Sequence, residues 1–142
     1  MHWIYQYKPV LELPEDCAGF VYVITNLFEG KHYIGKKLSK FSKTKYKMHT
    51  QKNGKRVRKK IKSQIDSDWR DYWGSSKELL ADIERLGPQH FRREIIHFCK
   101  SKAECSYIEA KEQFIRGALE KSEYYNGHIM VRVHKNHIKG KL

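Results

Sequence analysis

The chain has 142 residues, a hydrophobic fraction of 39% and a formal net charge of +13. This length accommodates one domain with one core, and it leaves no room for a second domain of ordinary size. No apolar run reaches the roughly 18–20 residues of a membrane helix, and the N-terminal segment lacks the features of a secretory signal peptide. We therefore expect no membrane partner and a cytoplasmic location. The three cysteines form no CxxC pair, which predicts reduced thiols and no structural zinc.

The excess positive charge lies in one segment. Residues 36–62 contain 13 of the 29 lysine and arginine residues and no acidic residue, whereas the rest of the chain has 16 basic and 16 acidic residues. Such a segment attracts polyanions, because neutralising phosphates releases their counterions. The pattern favours nucleic-acid binding over a solvated loop that aids solubility.

The first predicted elements form a hairpin. Residues 1–18 include several aromatic residues and two prolines. We therefore expect an extended arm that packs against the rest of the domain. Residues 20–25 and 31–34 read as two short strands, and Asn26 and Gly30 between them tolerate the positive φ of a hairpin loop.

The basic segment contains a second hairpin signal. The stretch "KYKMHTQKNGKRVRKKI" alternates around Asn53-Gly54, a dipeptide typical of two-residue turns. A basic β-ribbon fits this pattern, and such a ribbon can enter a nucleic-acid groove. A flexible loop that happens to contain Asn-Gly fits it as well.

Two helices and a third strand follow. Ser75 and Glu78 have capping-box spacing, which predicts a helix from about Ser76; Gly87-Pro88 ends it. Its apolar stripe is Leu79, Leu80, Ile83 and Leu86.

Residues 91–99 read as a strand, and Ser101 and Glu104 form a second capping box for a helix that extends to about Leu119. Residues 128–134 alternate like a last strand, and residues 135–142 form a basic tail, which we expect to be mobile. The prediction is one α+β domain over residues 1–142: an antiparallel three-stranded sheet in the order β-β-α-β-α, flanked by helices, with a basic insertion after the first hairpin.

The first hairpin contains the motifs "GFVY" and "YIG", whose tyrosines, Tyr22 and Tyr33, lie eleven residues apart. This pair resembles the GIY-YIG endonuclease family: "GFVY" stands where the family has GIY, with Gly19 displaced by one position, and "YIG" is intact. The resemblance covers about residues 18–126. The stretches "DWRDYWGSS", "SYIEAKEQF" and "YYNG" look most like the phage SegE-like branch of free-standing endonucleases.

The resemblance implies hydrolysis of phosphodiester bonds in double-stranded DNA with Mg²⁺ or Mn²⁺. It also implies a phage or mobile-element, homing-like origin and hence the host cytoplasm. Tyr22 carries over as the general base, and since a phenol has a pKa of about 10, the charges of Lys36 and Lys37 would have to assist it. Tyr33 carries over as the second tyrosine, and Gly35 fits a tight turn near the substrate.

The resemblance implies one metal-binding glutamate, for which there are two candidates. Glu109 and Glu112 lie three residues apart and share one side of the second helix. Glu112 lies on the apolar stripe of Cys105, Ile108, Ile115 and Leu119, and a carboxylate there needs a partner. Glu109 lies at the edge of that stripe, within "YIEAK", and is preferred; the other glutamate would form a surface ion pair.

The family's arginine position is occupied by Lys43, which departs from the pattern. Arg56, Arg58 and Arg70 are the alternatives, and Arg70 beside Trp69 is preferred. Lysine lacks the planar, bidentate geometry with which arginine binds phosphate. The late asparagine of the family carries over as Asn126, which would orient the site or form a turn before Gly127.

The basic residues expected to contact DNA lie mainly in the segment 36–62. They are Lys37, Lys43, Lys45, Lys55, Arg56, Arg58, Lys59 and Lys60. His128, His134 and His137 are a weaker metal-site candidate. The sequence has no nucleotide-binding motif, so we expect no nucleotide cofactor. Two other functions stay open: an inactive DNA-binding module of the same fold, and a basic RNA-binding protein.

Overall fold

The computed structural model describes residues 1–140 and residue 142. Its strands are β1 (Ile4–Tyr5), β2 (Lys8–Pro9), β3 (Gly19–Asn26), β4 (Lys31–Leu38), β5 (Lys40–Thr50), β6 (Arg56–Asp66) and β7 (Phe91–Cys99). Its helices are α1 (Lys77–Leu86), α2 (Lys102–Ile115) and α3 (Lys135–Ile138). The α+β class, the first hairpin and the strand over residues 91–99 are confirmed.

The main sheet has more strands than predicted. Its order is β2-β1-β7-β3-β4, and β7, β3 and β4 are antiparallel as expected. The arm, however, adds β1 parallel to β7 and β2 antiparallel to β1, so the prediction of a three-stranded antiparallel sheet is wrong. The arm is held because Trp3 is buried and its Nε1 donates a hydrogen bond to the Trp69 carbonyl at 2.7 Å.

The central strand β3 is buried on both faces. All eight of its residues are buried, which explains an apolar run without strict alternation. Tyr22 and Ile24 face a core with Trp3 and Leu79, and Val21 and Val23 face a second core. That second core includes Cys99, Cys105 and Ile108, so α2 covers the face opposite to the arm.

Side-chain caps begin both long helices: Ser101 is the predicted cap of α2, whereas α1 is capped by Ser76, one residue after the predicted Ser75, whose hydroxyl lies near that of Tyr33. The Ser76 hydroxyl accepts from the Leu79 N–H at 3.3 Å, and the Ser101 hydroxyl accepts from the Glu104 N–H at 3.1 Å. Helix α1 ends at Gly87, which has φ 92°. The stripe prediction is wrong for Leu80, which is exposed.

Helix α2 is shorter than predicted. It ends at Ile115 rather than Leu119, because Gly117 turns the chain with φ 65°. Ile115 and Leu119 are exposed, so the predicted stripe fails at its C-terminal end. Gln113 is buried in their place, which rotates the inward face of the helix away from Glu112.

Strands β5 and β6 form the predicted ribbon as a separate two-stranded sheet. The connection is longer than the predicted two-residue turn, because the ladder ends at the pair Thr50 and Arg56. Gly54 in this turn has φ 81°, and the Asn53 side chain accepts from the Lys55 N–H at 2.9 Å. This confirms the ribbon over the flexible loop. Two buried serines close the base of the ribbon, which we call the neck: the Ser67 N–H donates to the Ser39 carbonyl at 2.9 Å.

The C-terminal segment differs from the prediction. Residues 128–134 form no strand, and the basic tail contains the single-turn helix α3. Lys141, a part of that predicted tail, lies outside the described residues. Within the described residues, the helices are too short or too polar to cross a membrane.

Candidate functional site

The two motif tyrosines are organised by one glycine. Tyr22 on β3 lies directly opposite Gly35 on β4. A Cβ at position 35 would lie 2.6 Å from Cζ of the Tyr22 ring, so only glycine leaves room for that ring. The expectation that Gly35 forms a tight turn is wrong, because the residue lies inside a strand and serves as the floor beneath a phenol.

Tyr22 is enclosed by other aromatic rings. It is 1% exposed, and its ring centroid lies 6.2 Å from that of Tyr33, 6.1 Å from that of Tyr72 and 5.0 Å from that of Trp3. Burial raises the pKa of Tyr22 well above its usual value, and the neighbouring phenols of Tyr72 and Tyr33 raise it further. The side chain is therefore a neutral phenol at physiological pH.

A pocket of about 480 Å³ opens at the outer edge of β4. Its lining residues are Tyr33, Lys36, Ser75, Ser76, Glu109, Gln113, Tyr125, Asn126, Gly127, His128 and Met130. Tyr33 is the motif tyrosine that reaches this pocket; its hydroxyl lies 3.1 Å from the Ser75 hydroxyl. Burial raises the pKa of Tyr33 too, while the Ser75 hydrogen bond opposes this shift.

One carboxylate and one ammonium group face the pocket from opposite elements. Glu109 comes from α2, and Lys36 from β4 donates a hydrogen bond to the Ser106 hydroxyl at 2.7 Å. Burial raises the pKa of the Glu109 carboxyl, and the positive charge and backbone N–H of Lys36 partly offset that effect. A carboxylate accompanied by amide oxygens fits Mg²⁺, which binds oxygen ligands and usually keeps several waters.

The late Tyr-Asn pair closes the edge of the sheet. The Asn126 amide accepts from the Ile34 N–H at 3.0 Å and donates to the Ile34 carbonyl at 2.8 Å. Tyr125 donates to the Asp82 carboxylate at 2.7 Å and accepts from the Asn26 amide at 3.1 Å. These bonds fix the segment that lines the pocket to β4, to the end of β3 and to α1.

A family comparison agrees with this arrangement. The model described as "Putative endonuclease segE, GIY-YIG domain" matches residues 3–129. The chain belongs to the SegE-like branch of the GIY-YIG family. Membership implies an endonuclease, a hydrolase that acts on DNA. No curated protein and no solved structure matches the chain significantly.

Several residues predicted for the site of this GIY-YIG domain lie elsewhere. Glu112 does not line the pocket; its carboxylate accepts from Nε of Arg116 at 3.0 Å on the outer side of α2. Arg70 lies beside Trp69 and forms an ion pair with Glu12 at 3.4 Å. Within the described residues no arginine lines the pocket, and Lys36 provides its ammonium group.

The predicted DNA contacts divide into two groups. Lys37 is engaged within the fold: its Nζ lies 2.6 Å from the Asp68 carboxylate and 4.0 Å from the centroid of the Tyr72 ring. The remaining residues are exposed on the ribbon or in its turn: Lys43, Lys45, Lys55, Arg56, Arg58, Lys59 and Lys60.

Sequence reasoning missed several residues that line the pocket or pack behind it, among them the following. Gln113 lies one turn after Glu109, so helical spacing alone was sufficient to place it on the same face. Ser75 was considered only as a helix cap, and His128 only as part of a weak histidine group. Tyr72 lies in an irregular segment, where no periodicity indicates its packing against Tyr22.

Another group of metal-binding side-chain types lies at the far end of α2. Ligand atoms of His97, Cys99 and Glu104 lie within 4.8 Å of one another. Glu104 already accepts from the Lys100 N–H at 3.0 Å and contacts Nε2 of His97 at 2.8 Å. These bonds give its carboxylate a structural role near the start of α2.

Proposed function

We propose that this GIY-YIG protein is a metal-dependent endonuclease that hydrolyses phosphodiester bonds in double-stranded DNA. The observation that carries the proposal is the pocket at the edge of β4. There a half-buried carboxylate (Glu109), an ammonium group (Lys36) and a phenol (Tyr33) face a single space, and the basic ribbon follows the same strand in the chain.

Glu109 is the residue proposed to hold the cation, Mg²⁺ or Mn²⁺. When bound, such an ion supplies Lewis-acid stabilisation of the charge that develops on phosphate. Lys36 is positioned to attract the negative phosphate into the pocket. It takes the part that the family assigns to an arginine, although it lacks a bidentate fork.

Tyr33 and Tyr22 are proposed to have different tasks. Because its pKa is raised, the Tyr33 hydroxyl stays protonated, and it can donate to a phosphate oxygen or orient a water within the pocket. Tyr22 lies behind it as a neutral phenol that holds Tyr33 and Gly35 in place. This arrangement favours Tyr22 as a positioning residue rather than as the general base.

Duplex DNA as substrate and a phage or mobile-element role are also proposals. The ribbon supports the first, because the major groove of B-DNA admits a two-stranded ribbon. The likeness of the sequence to the phage SegE-like branch supports the second, together with the host cytoplasm as the place of action.

A second function, an inactive DNA-binding module, has one observation in its favour. No arginine lines the described pocket, so a group that stabilises transition-state charge in the family is replaced by lysine. This module would retain DNA binding through the ribbon and lack cleavage.

Cleavage of supercoiled plasmid with Mg²⁺ or Mn²⁺ tests the proposal. We expect nicking or linearisation by the wild type, and none when a chelator is present. Glu109→Gln should reduce the rate on the order of 10²–10³-fold, the size seen when a preorganised electrostatic group is removed. Glu112→Gln, on the outer side of the same helix, is the matched control and should cleave within about threefold of wild type.

Three results would contradict the proposal. A wild type that retards duplex DNA on a gel but leaves plasmid intact with both metals would establish the inactive module. Equal losses in the two glutamine variants, with unchanged melting temperatures, would remove Glu109 from its assigned role. Cleavage that continues in chelator would exclude metal dependence.

A further inference from the structure

The ribbon has two faces with the same charge and different chemistry. The register pairs Lys40 with Asp66 and Thr50 with Arg56, and paired residues of an antiparallel ladder share a face. All even-numbered residues of β5 and β6 therefore form one face, the even face, and all odd-numbered residues form the odd face. The even face has five basic residues and one acidic residue, and the odd face has four basic residues and none acidic, so each has a net charge of +4.

The hydrogen-bonding groups are concentrated on the even face. It carries both arginines of the ribbon together with the polar side chains of Ser42, Thr44, Tyr46, Thr50 and Gln64. The odd face combines its lysines with an apolar series, Phe41, Val57, Ile61 and Ile65. Lysine suits phosphate as a point charge, whereas arginine and glutamine pair with base edges in a bidentate way.

Arg58 is held in an orientation suited to such pairing. Its guanidinium carbon lies 4.0 Å from the centroid of the Tyr46 ring on the same face. Stacking of this kind limits the motion of the side chain and leaves the N–H edge of the guanidinium free. A preordered fork loses less entropy when it binds a base.

The ribbon also has a length and width that a DNA groove can accommodate. Each strand has eleven residues, which at about 3.4 Å per residue span roughly 35 Å. One turn of B-DNA is about 34 Å long, and its major groove is about 12 Å wide and admits a two-stranded ribbon. Both faces are solvent-exposed, with Val57 alone half-buried, so nothing in the described chain covers the even face.

We propose that the even face of the ribbon reads base edges in the major groove of duplex DNA, with Arg56 and Arg58 as specificity-determining residues, and that the lysines of the odd face supply sequence-independent attraction. The proposal rests on the proposed DNA substrate and goes beyond it. It assigns sequence recognition to the ribbon, which follows the strand that bears Lys36. It also separates the residues that choose the site from Glu109, Lys36 and Tyr33.

Selection from a random duplex library tests the assignment by binding alone. The full-length chain is incubated in chelator, so that cleavage plays no part, and the bound DNA is sequenced. We expect wild type to enrich a short motif that contains guanines, the preferred partner of a bidentate arginine. The variant Arg56→Lys/Arg58→Lys keeps the charge and removes both forks; its discrimination between the motif and random DNA should fall roughly 10-fold or more.

The matched control is Lys45→Ala/Lys47→Ala on the odd face. It should weaken binding to all duplexes similarly and reduce the slope of log affinity against log salt by about 1.8, while the enriched motif stays the same. Double-stranded RNA of equal length should compete no better than random DNA, because side chains cannot enter its deep, narrow major groove.

Four outcomes would overturn the assignment. They are a wild type that enriches no motif, an arginine-to-lysine variant that enriches the wild-type motif undiminished, an odd-face variant that changes the motif, and double-stranded RNA that competes as well as a duplex containing the motif. Enrichment that persists in a chain unable to cut plasmid would reject the proposed nuclease and leave the even-face assignment standing.

Discussion

The pocket and the ribbon both adjoin β4, but the pocket is held by buried contacts with the rest of the domain and the ribbon is exposed. At the pocket, both backbone groups of Ile34 are bound by the Asn126 amide, and the phenol of Tyr22 behind it is 1% exposed. Along the ribbon, the side chains are exposed and the two strands pair with each other. Chemistry requires atoms at fixed positions, whereas attraction between opposite charges tolerates motion.

The contrast extends to stability. An isolated two-stranded hairpin is marginally stable in water, so the ribbon should open at a small fraction of the free energy that unfolds the main sheet. The core of the main sheet does not depend on the ribbon, because the neck joins Ser39 to Ser67 directly. The two regions can therefore be altered one at a time.

Removing the ribbon should have the largest effect. Residues 40–66 can be replaced by a short Gly-Ser link, since the neck already brings the two ends together. Affinity for duplex DNA at low salt should fall on the order of 10³-fold, because the segment holds 11 basic residues that neutralise phosphates. Fluorescence anisotropy over a range of salt concentrations measures this, and an unchanged salt slope would show that the main DNA contacts lie elsewhere.

A substitution at Gly35, beneath the Tyr22 ring, should have an intermediate effect, on the stability of the fold. Gly35→Ala places a methyl group against the Tyr22 ring, and overpacking of this kind costs about 1–3 kcal/mol. Thermal unfolding should show a lower melting temperature. The slope of log DNA affinity against log salt concentration, which depends on the ribbon, should be unchanged. Gly127→Ala is the control, because a Cβ there meets no atom within 4 Å. Additive effects of Gly35→Ala and Tyr22→Leu would show that the two residues do not act as a packing unit.

The smallest expected effect concerns the pH at which the rate of the proposed cleavage declines. Burial raises the pKa of Glu109, so its carboxylate is protonated, and cleavage declines, at a higher pH than for an ordinary glutamate. Protons and the cation compete for this carboxylate, so more Mg²⁺ should move the acid limb of the rate profile to lower pH. An acid limb that ignores Mg²⁺ concentration would assign it to another group.

The same shift has a consequence for folding. A carboxyl whose folded-state pKa is raised favours the folded state more at low pH, and this contribution is lost as the pH rises through the folded pKa. Glu109→Gln should therefore melt at the same or a slightly higher temperature than wild type at pH 7, although it cleaves poorly. A clear decrease in melting temperature would indicate that the carboxylate has a structural role.

Local signals in the sequence identified most of the fold. Ser101 caps its helix as predicted, Ser76 caps the other helix one residue after the predicted cap Ser75, and Asn53-Gly54 forms its turn from neighbouring atoms. Each of these interactions spans a few residues, so the sequence pattern contains all of its partners.

Features set by distant contacts could not be read in this way. Strands β1 and β2 have two residues each, too few for any periodicity, and they depend on the burial of Trp3. The last predicted strand is absent because the Asn126 amide and the neighbouring Tyr125 N–H, which donates to the His32 carbonyl at 2.8 Å, already occupy the outer edge of β4. No free strand edge remains there for the alternating segment.

The candidate site was predictable in part. Tyr33, Lys36, Glu109 and Asn126 are brought together at one pocket. The choice between two glutamates had a local signal in Arg116, which follows Glu112 by four residues and binds it as a helical ion pair. The position of Arg70 had no such signal, because its partner Glu12 lies 58 residues away in the chain.

The neck also limits the distance between the pocket and the ribbon. A single residue, Ser39, separates the end of β4 from the start of β5, so there is no linker between the strand that bears Lys36 and the first ribbon residue, Lys40. Four residues of extended chain span about 13 Å, less than half a turn of DNA. A cutter with a flexible tether can reach bonds at many distances from its bound sequence. For the proposed endonuclease we therefore expect a cut position at a constant distance from the duplex that the ribbon is proposed to bind.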